Sequence, residues 1–231
     1  MRNHSVSCYQ KREVQAMDQW AFKEIIRERR SVRRFDPTPV PIDAIRELVD
    51  CARYAPSDTN SQTWEFVAVL NSDKIRRISE ITWEKLHELA RDAESRGLEK
   101  EARLLARSFG PYATAFENAP ALMVVLSTPY VSKFRDKIFD PLQFVSQQTW
   151  DMESTKSSCL AAQNLMLAAH AMGLGSCPMT GPALLAEHSI KEFLGIGFDR
   201  HLNMVIALGY PGEKPAMPKR KDVEEVLRLI L

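Results

Sequence analysis

The sequence predicts a single layered domain of the α/β or α+β class. Three short apolar runs with strand composition lie at residues 64–70, 121–127 and 203–209, and segments with helical periodicity separate them. Strands that alternate with helices in this way form a sheet covered by helical layers. A chain of 231 residues is long enough to bury a substantial core and is typical of one domain.

The first half of the chain alternates helical patterns with turns. Residues 20–30 place apolar side chains on one face, which predicts an amphipathic helix. Three prolines then interrupt residues 36–41, because proline fixes φ and disfavours helix before it. The following predicted elements are a helix at 43–55, the strand at 64–70, and a charged excursion at 74–109 with two helical segments around Gly97.

The strongest helical pattern lies at residues 154–175, where small and apolar residues surround the whole circumference. Such a helix must be buried on most sides, which suggests a central helix at a dimer interface. Gly173 and Gly175 predict its C-terminal end. Residues 130–151, which have weak periodicity, are interpreted as a lid or a pocket wall. Residues 177–182 are interpreted as a turn by default, or alternatively as backbone that lies flat along a planar ligand.

Composition excludes several classes of protein. A formal net charge of +1 argues against a nucleic-acid partner. The four cysteines are scattered without a CxxC pair, so no metal site is expected and free thiols in a reducing compartment are favoured. No apolar run approaches the ~20 residues that span a bilayer, and residues 1–19 lack the apolar segment of a signal peptide. We therefore expect a cytoplasmic protein with no membrane contact, and the role of the first 20 residues stays open.

A cluster of arginines around Ser31 has the chemistry to hold a phosphate. Arginine offers a planar fork of donors, and the serine hydroxyl adds another. The alternative is a solvated cluster that interacts with a helix C-terminus. The motif alone slightly favours the solvated cluster, and a concentration of cations in a nearly neutral chain shifts the balance towards one bound anion. The cations are Arg27, Arg29, Arg30, Arg33 and Arg34.

Two further polar segments leave alternatives open. Residues 56–64 carry many hydrogen-bonding groups just before a strand and either form a self-satisfied turn or contact the edge of a heteroaromatic ring. Residues 218–221 form a basic patch near the C-terminus, which in isolation is best explained as solvated charge.

The order of these motifs resembles the FMN-dependent nitroreductase superfamily. The series begins with Arg-x-Ser-x-Arg at 29–33 and Ala-Pro-Ser-x-x-Asn-x-Gln-x-Trp at 55–64. It continues with a small-residue helix that ends in Gly-Leu-Gly, then Pro-Met-Thr-Gly at 178–181, Leu-Gly-Tyr-Pro at 208–211 and the basic patch. The resemblance runs from about residue 22 to the C-terminus, outside two insertions. It implies a nitroreductase-like α+β fold with a mixed central sheet flanked by helices, in an intertwined homodimer that binds FMN at each end of its interface.

The resemblance also implies which residues bind FMN. The chemistry takes place on flavin N5, which Thr180 tunes, with no catalytic side chain. The phosphate and ribityl chain would contact Arg29, Arg30 and Ser31, with Arg220 and Lys219 completing the phosphate site. The isoalloxazine ring would contact Arg33 near N1 and O2, Pro178, Met179, Thr180 and Gly181 near N5, and Pro56, Ser57 and Asn60 of the partner subunit. At N1 and O2 a positive charge stabilises the anionic reduced flavin.

The chain departs from the family pattern at three places. Thr63 stands where many relatives have proline, and Thr180 stands where some have an acidic residue. Some relatives also have a basic residue ahead of the second strand, whereas residues 112–116 contain none. Arg33 is therefore expected to act alone on the N1–O2 edge.

The resemblance implies an FMN-dependent NAD(P)H oxidoreductase of the nitroreductase type. In this interpretation one domain spans 1–231, with pocket-wall insertions at about 74–110 and 129–153, and reduces a small-molecule electron acceptor by a ping-pong, two-electron route. The acceptor would be a nitroaromatic, a quinone or a similar electron-poor compound. The alternatives are a reductive dehalogenase or other specialised flavin enzyme of this fold, and a non-catalytic flavin-binding dimer. The sequence does not choose between NADH and NADPH, name the acceptor, or tell whether the insertions close as a lid.

Overall fold

The computed structural model describes residues 19–230, which form one α+β layered structure around a four-stranded sheet. The predicted α+β class is confirmed. The helices are α1 Gln19–Glu28, α2 Ile42–Ala52, α3 Ser72–Ser95, α4 Glu99–Leu104, α5 Gly110–Ala113, α6 Gln147–Ala171, α7 Gly181–Leu194 and α8 Val223–Val226. The strands are β1 Glu65–Val69, β2 Ala121–Ser127, β3 Gly175–Met179 and β4 His201–Gly209.

The strands are arranged in the order β1-β2-β4-β3, and all three neighbouring pairs are antiparallel. A mixed sheet was expected. Parallel pairing is found at one isolated bridge, between Ser31 and Ser176 of β3. The parallel component of the described sheet is therefore this short contact rather than a full strand.

The core lies on both faces of the sheet, and β2 is buried along its whole length. Alternate residues of a strand point to opposite faces, so Met123 and Val125 pack with α2 and α6 whereas Leu122 and Val124 pack with α3 and α7. A strand covered on both sides reads as a continuous apolar run, which is why the sequence predicts β2 over its observed range.

The central helix α6 begins at Gln147, seven residues before the predicted start. Ser146 caps it, because the Ser146 hydroxyl accepts a hydrogen bond from the Thr149 backbone N–H at 3.3 Å. Gly173 has φ of +75° and ends the helix as predicted, whereas Gly175 is the first residue of β3.

The interpretation of residues 177–182 as a turn is wrong, because residues 175–179 form β3. This strand contains Pro178 and lacks the β-branched alternation on which strand prediction depends. It lies at the end of the four-strand order, and an edge strand tolerates a proline that cannot donate a hydrogen bond. The helix α7, which starts directly after it, was also not predicted.

The first excursion has the two helical segments expected around Gly97, whose φ is +74°. The second segment continues beyond α4 through one π-helical turn, Leu105–Phe109, into α5. Pro111 explains this turn, because its ring would clash with the Arg107 carbonyl of a regular α-helix and it has no N–H to donate.

Residues 130–151 fold onto themselves around a stacked aromatic pair. The ring centroids of Tyr130 and Trp150 are 5.4 Å apart, and the Arg135 guanidinium lies 5.4 Å from the Trp150 ring. Arg135 also donates a 2.7 Å hydrogen bond to the Tyr130 carbonyl. The segment is therefore internally fixed by side-chain contacts.

No helix between residues 19 and 230 is long and apolar enough to cross a bilayer.

Gly110 provides a test of packing between α5 and α3. A Cβ at this position would overlap the Trp83 ring, whose Cζ3 atom would be 2.5 Å away. We expect Gly110→Ala to lower the free energy of unfolding by about 1–3 kcal/mol, as overpacking does. In the matched control Gly197→Ala, the new methyl meets the end of the exposed Asp199 side chain, and a loss below about 1 kcal/mol is expected. Equal losses for both variants in urea denaturation would contradict tight packing at Gly110.

Candidate functional site

The segment that carries the arginine cluster lies against β3. Ser31 forms a parallel bridge with Ser176, and the Val32 N–H donates a 3.1 Å hydrogen bond to the Ser176 carbonyl. Gly175 permits this approach, since a Cβ there would lie 2.9 Å from the Val32 Cβ. The chain around Ser31 and Val32 therefore runs beside the start of β3 in the same direction.

The other side of the segment is fixed by the chain that follows β4. The Asp36 N–H donates to the Tyr210 carbonyl and the Gly212 N–H donates to the Arg34 carbonyl, both at 2.9 Å. The Glu213 carboxylate accepts hydrogen bonds from the backbone N–H groups of Arg33 and Arg34, at 2.8 and 3.2 Å. The backbone of the arginine cluster is thus held from both sides, and its side chains are left to face the neighbouring cavities.

A first cavity of about 610 Å³, which we call the anion cavity, lies at the Arg29 end. Two buried polar atoms that face it have no hydrogen-bond partner in the described structure, Arg29 Nη1 and Ser176 Oγ. A buried donor without an acceptor is costly, and such atoms often mark a ligand site. The lining residues include Glu28, Arg29, Arg30, His170, Ser176, Glu213 and Lys214.

The electrostatics of Arg29 favour an anionic ligand. Burial is the main reason why the pKa of the Arg29 guanidinium is lowered, and Arg220 and Arg30 lower that pKa further, against an opposing effect of Cys177. Arg220 therefore lies within electrostatic reach of Arg29, although 191 positions separate them in the chain. The Glu213 carboxylate also lines this cavity, but it already accepts hydrogen bonds from two backbone N–H groups. A multiply charged anion such as phosphate fits these donors.

A second cavity of about 510 Å³, which we call the ring cavity, lies at the Arg33 end. None of the described residues that line it is acidic, and most are apolar or aromatic. Its two walls meet closely because a Cβ on Gly181 would be 2.5 Å from the Ala113 Cβ. The lining residues are Arg33, Leu104, Ser108, Phe109, Tyr112, Ala113, Pro178, Met179, Thr180 and Gly181. Flat apolar walls with few polar groups suit a planar heteroaromatic ligand.

Cys177 lies between the two cavities but is only 1% exposed. Burial raises the pKa of its thiol, and the nearby Arg33, Ser31 and Arg29 only partly oppose that rise. The thiolate is the reactive form of cysteine, so a buried thiol with a raised pKa acts as a packing group rather than as a nucleophile. The chemistry of the site therefore depends on groups that line the cavities.

The structure brings together most of the residues that the sequence indicated. Ser31 lines neither cavity but forms the bridge to Ser176, and Arg220 lies within electrostatic reach of Arg29. Lys219 is exposed and lines neither cavity. Arg29 and Arg30 line the anion cavity, and the ring cavity is lined by Arg33, Pro178, Met179, Thr180 and Gly181.

The loop with Pro56, Ser57 and Asn60 lines neither cavity of its own chain. Its backbone is strained, because Thr59, Asn60 and Gln62 have φ values of 48°, 56° and 50°. Ser57 Oγ accepts a 3.0 Å hydrogen bond from the Gln62 N–H, and the Thr59 and Tyr130 hydroxyls are 3.1 Å apart. The segment 130–151 therefore supports this loop, and it contributes no lining residue to these two cavities.

Sequence reasoning missed Ser176 and Glu213. Ser176 lies in the strand that was interpreted as a turn, and Glu213 follows β4 in a stretch without a motif. Neither residue carries a local signal, because each depends on the pairing of the arginine segment with a distant part of the chain.

Comparisons with known proteins agree with this architecture. The model of the nitroreductase family matches residues 26–210. A putative NADH dehydrogenase/NAD(P)H nitroreductase of Methanothermobacter thermautotrophicus is 25% identical over 205 residues, which cover 88% of this chain and 84% of that protein. An iodotyrosine deiodinase of Thermotoga neapolitana is 24% identical over 204 residues, which cover 87% of this chain and 94% of that protein.

Among solved structures, a BluB-like flavoprotein from Clostridium difficile 630 superimposes with a TM-score of 0.79. It is 26% identical, and the match covers 90% of this chain and 98% of that chain. The similarity therefore extends over most of this chain and nearly the whole of that chain.

Proposed function

This chain belongs to the nitroreductase family, and we propose that it is an FMN-dependent oxidoreductase that uses NADH or NADPH to reduce an electron-poor small molecule. The observation that carries the proposal is the buried Arg29 Nη1 atom, which has no hydrogen-bond partner in the described structure and faces the anion cavity. The ring cavity lies at Arg33, the other end of the same segment. Four residue steps from Arg29 to Arg33 span at most about 13 Å. That spacing suits a ligand with a phosphate at one end and a planar ring at the other.

The residues present fit FMN. Arg29, Ser176 and Arg220 offer donors and positive charge to a phosphate, with Arg30 beside them. Lys219 is proposed to complete the phosphate site with Arg220. The space for the ring is lined by Arg33, Pro178, Met179, Thr180 and Gly181. The loop with Pro56, Ser57 and Asn60 is proposed to add contacts to the ring from a partner subunit. FMN supplies the two-electron chemistry when bound, accepting a hydride from the nicotinamide cofactor and reducing the acceptor.

The side chains that line the ring cavity determine which electron acceptor can bind there beside the flavin. Phe109 and Tyr112 line the cavity and can stack on a planar acceptor. Arg33 is the one charged side chain among the described lining residues, and its positive charge favours acceptors that carry negative charge. The first insertion, 74–110, supplies part of the cavity wall, in keeping with its proposed role in specificity.

A reductive dehalogenase is the second candidate. The deiodinase of Thermotoga neapolitana matches this chain over nearly the same span as the nitroreductase relative does. Both activities need the same flavin site and differ in the acceptor, so one experiment separates them.

The test of the proposal is anaerobic reduction of the purified protein. We expect a yellow protein whose flavin absorbance bleaches on addition of NADH or NADPH and returns on addition of an acceptor. Nitroaromatics and quinones should reoxidise it if the first candidate is right, and halophenols with release of halide if the second is right. A yellow protein that neither nucleotide reduces would instead support a non-catalytic flavin-binding dimer.

The anion cavity gives a separate prediction for Arg29. Loss of one charged partner in a buried contact typically costs about 2–5 kcal/mol, and Arg29 is half-buried, so Arg29→Met should weaken FMN binding at least tenfold. Arg46→Met is the matched control, because Arg46 is exposed and pairs with Asp43 on α2. Fluorescence titration of FMN measures both. An unchanged dissociation constant for Arg29→Met would show that the FMN phosphate does not bind in this cavity.

We also propose that the protein is a cytoplasmic homodimer. Apolar side chains on the outer face of α6 and along the C-terminal segment are exposed in the single chain, including Leu160, Met217, Leu229 and Ile230. Large exposed apolar patches mark interaction surfaces. A second copy covers them in this proposal, and it brings the loop with Pro56, Ser57 and Asn60 to the flavin of its partner.

A permanent homodimer interface buries at least about 2,000 Å², so sedimentation should show a dimer at micromolar concentrations. Leu160→Arg places a charge on the free face of α6 and should shift the equilibrium towards monomer. Leu89→Arg is the control, because Leu89 is similarly exposed, at 43% against 47%, but lies on α3 at the opposite face of the sheet. A wild-type monomer that binds FMN would refute the dimer.

A further inference from the structure

Arg33 and Tyr112 form a stacked pair at the wall of the ring cavity. The Arg33 guanidinium carbon lies 5.0 Å from the centroid of the Tyr112 ring, and both residues line the cavity. Distances up to about 6 Å give a favourable cation–π interaction. The pair therefore places a positive charge at a defined position beside the space for the ring.

Tyr112 is well suited to hold a flexible partner because its backbone is anchored on both sides. Gly110 packs against the Trp83 ring, and Ala113, which is 3% exposed, packs against Gly181. The Tyr112 ring itself is largely exposed and turns towards the cavity. The position of the Tyr112 ring is therefore set by the packing of α5, although the ring itself is not buried.

Arg33 has few other contacts for its charge. Its guanidinium makes one long hydrogen bond, 3.5 Å to the Ser31 carbonyl. The nearby Glu213 accepts from the Arg33 backbone N–H and forms its ion pair with Arg34. Among residues 21–230 no carboxylate lies within ion-pair distance of the Arg33 guanidinium. Without the Tyr112 ring, this side chain would be free to leave the cavity.

We propose that Tyr112 is a positioning residue: it holds the Arg33 guanidinium beside the flavin ring and so favours binding of the reduced over the oxidised flavin. The inference rests on the proposed function, because it requires FMN in the ring cavity. A cation fixed beside a ring that gains electron density stabilises the reduced form more than the oxidised form. An exposed, mobile cation contributes less, since solvent screens it.

The test is the reduction potential of the FMN-bound protein, measured by equilibration with a redox dye, together with the dissociation constant of oxidised FMN. Tyr112→Leu removes the ring and keeps an apolar side chain. We expect it to lower the ratio of reduced to oxidised FMN affinity about three- to fivefold, which makes the potential more negative by about 15–20 mV for a two-electron couple. Tyr112→Phe keeps the ring and should stay within twofold of the wild type.

A double variant shows whether the effect passes through Arg33. In an Arg33→Met background the cation is already absent. There, Tyr112→Leu should change the ratio of reduced to oxidised FMN affinity less than twofold. Two results would overturn the role of Tyr112: a full shift of the potential in the Arg33→Met background, or no shift from Tyr112→Leu in the wild-type background. In both cases FMN binding would still support the proposed function. Failure of the wild type to bind FMN would overturn both. Because Tyr112 is largely exposed, its truncation leaves the core intact, and circular dichroism verifies this.

Discussion

The site depends on the contact between residues 29–33 and the edge of β3. Val32 is buried and lies against Gly175, whereas its neighbours Ser31 and Arg33 point to other sides. In an extended segment a slip of one residue would exchange these directions and bury a guanidinium in place of the valine. Burial of one apolar side chain thus fixes the register, and the register decides which arginine faces which cavity.

This arrangement separates the two tasks of the site. The anion cavity holds cationic and hydroxyl groups that are left without partners, such as Arg29 Nη1 and Ser176 Oγ, so the protein carries the cost of desolvating them before any ligand arrives. The ring cavity has few polar groups and is shaped by close backbone contacts, such as the one between Gly181 and Ala113. In the proposed FMN site, affinity would therefore come mainly from the anion cavity and shape selection from the ring cavity.

Local patterns predicted those parts of the fold whose residues are aliphatic and continuous. β2 was predicted with its observed ends, and β1 and β4 to within two residues, because each is a run of strand-forming residues. β3 was not predicted, since Gly175, Pro178 and Met179 lack a periodic pattern and the strand exists only through pairing with β4. In the site, the arginines around Ser31 stood out by charge alone. Ser176 and Glu213 did not, because their roles depend on contacts with residues that are distant in the chain.

β3 is an outer strand of the sheet, with one side paired to β4 and the other facing the arginine segment. An uncovered strand edge is a template on which other chains can add and aggregate. Ser31 and Val32 cover part of this edge, and the chain on either side of them is rich in arginine, which repels an incoming strand. The residues proposed to bind FMN therefore also protect the sheet from uncontrolled self-association.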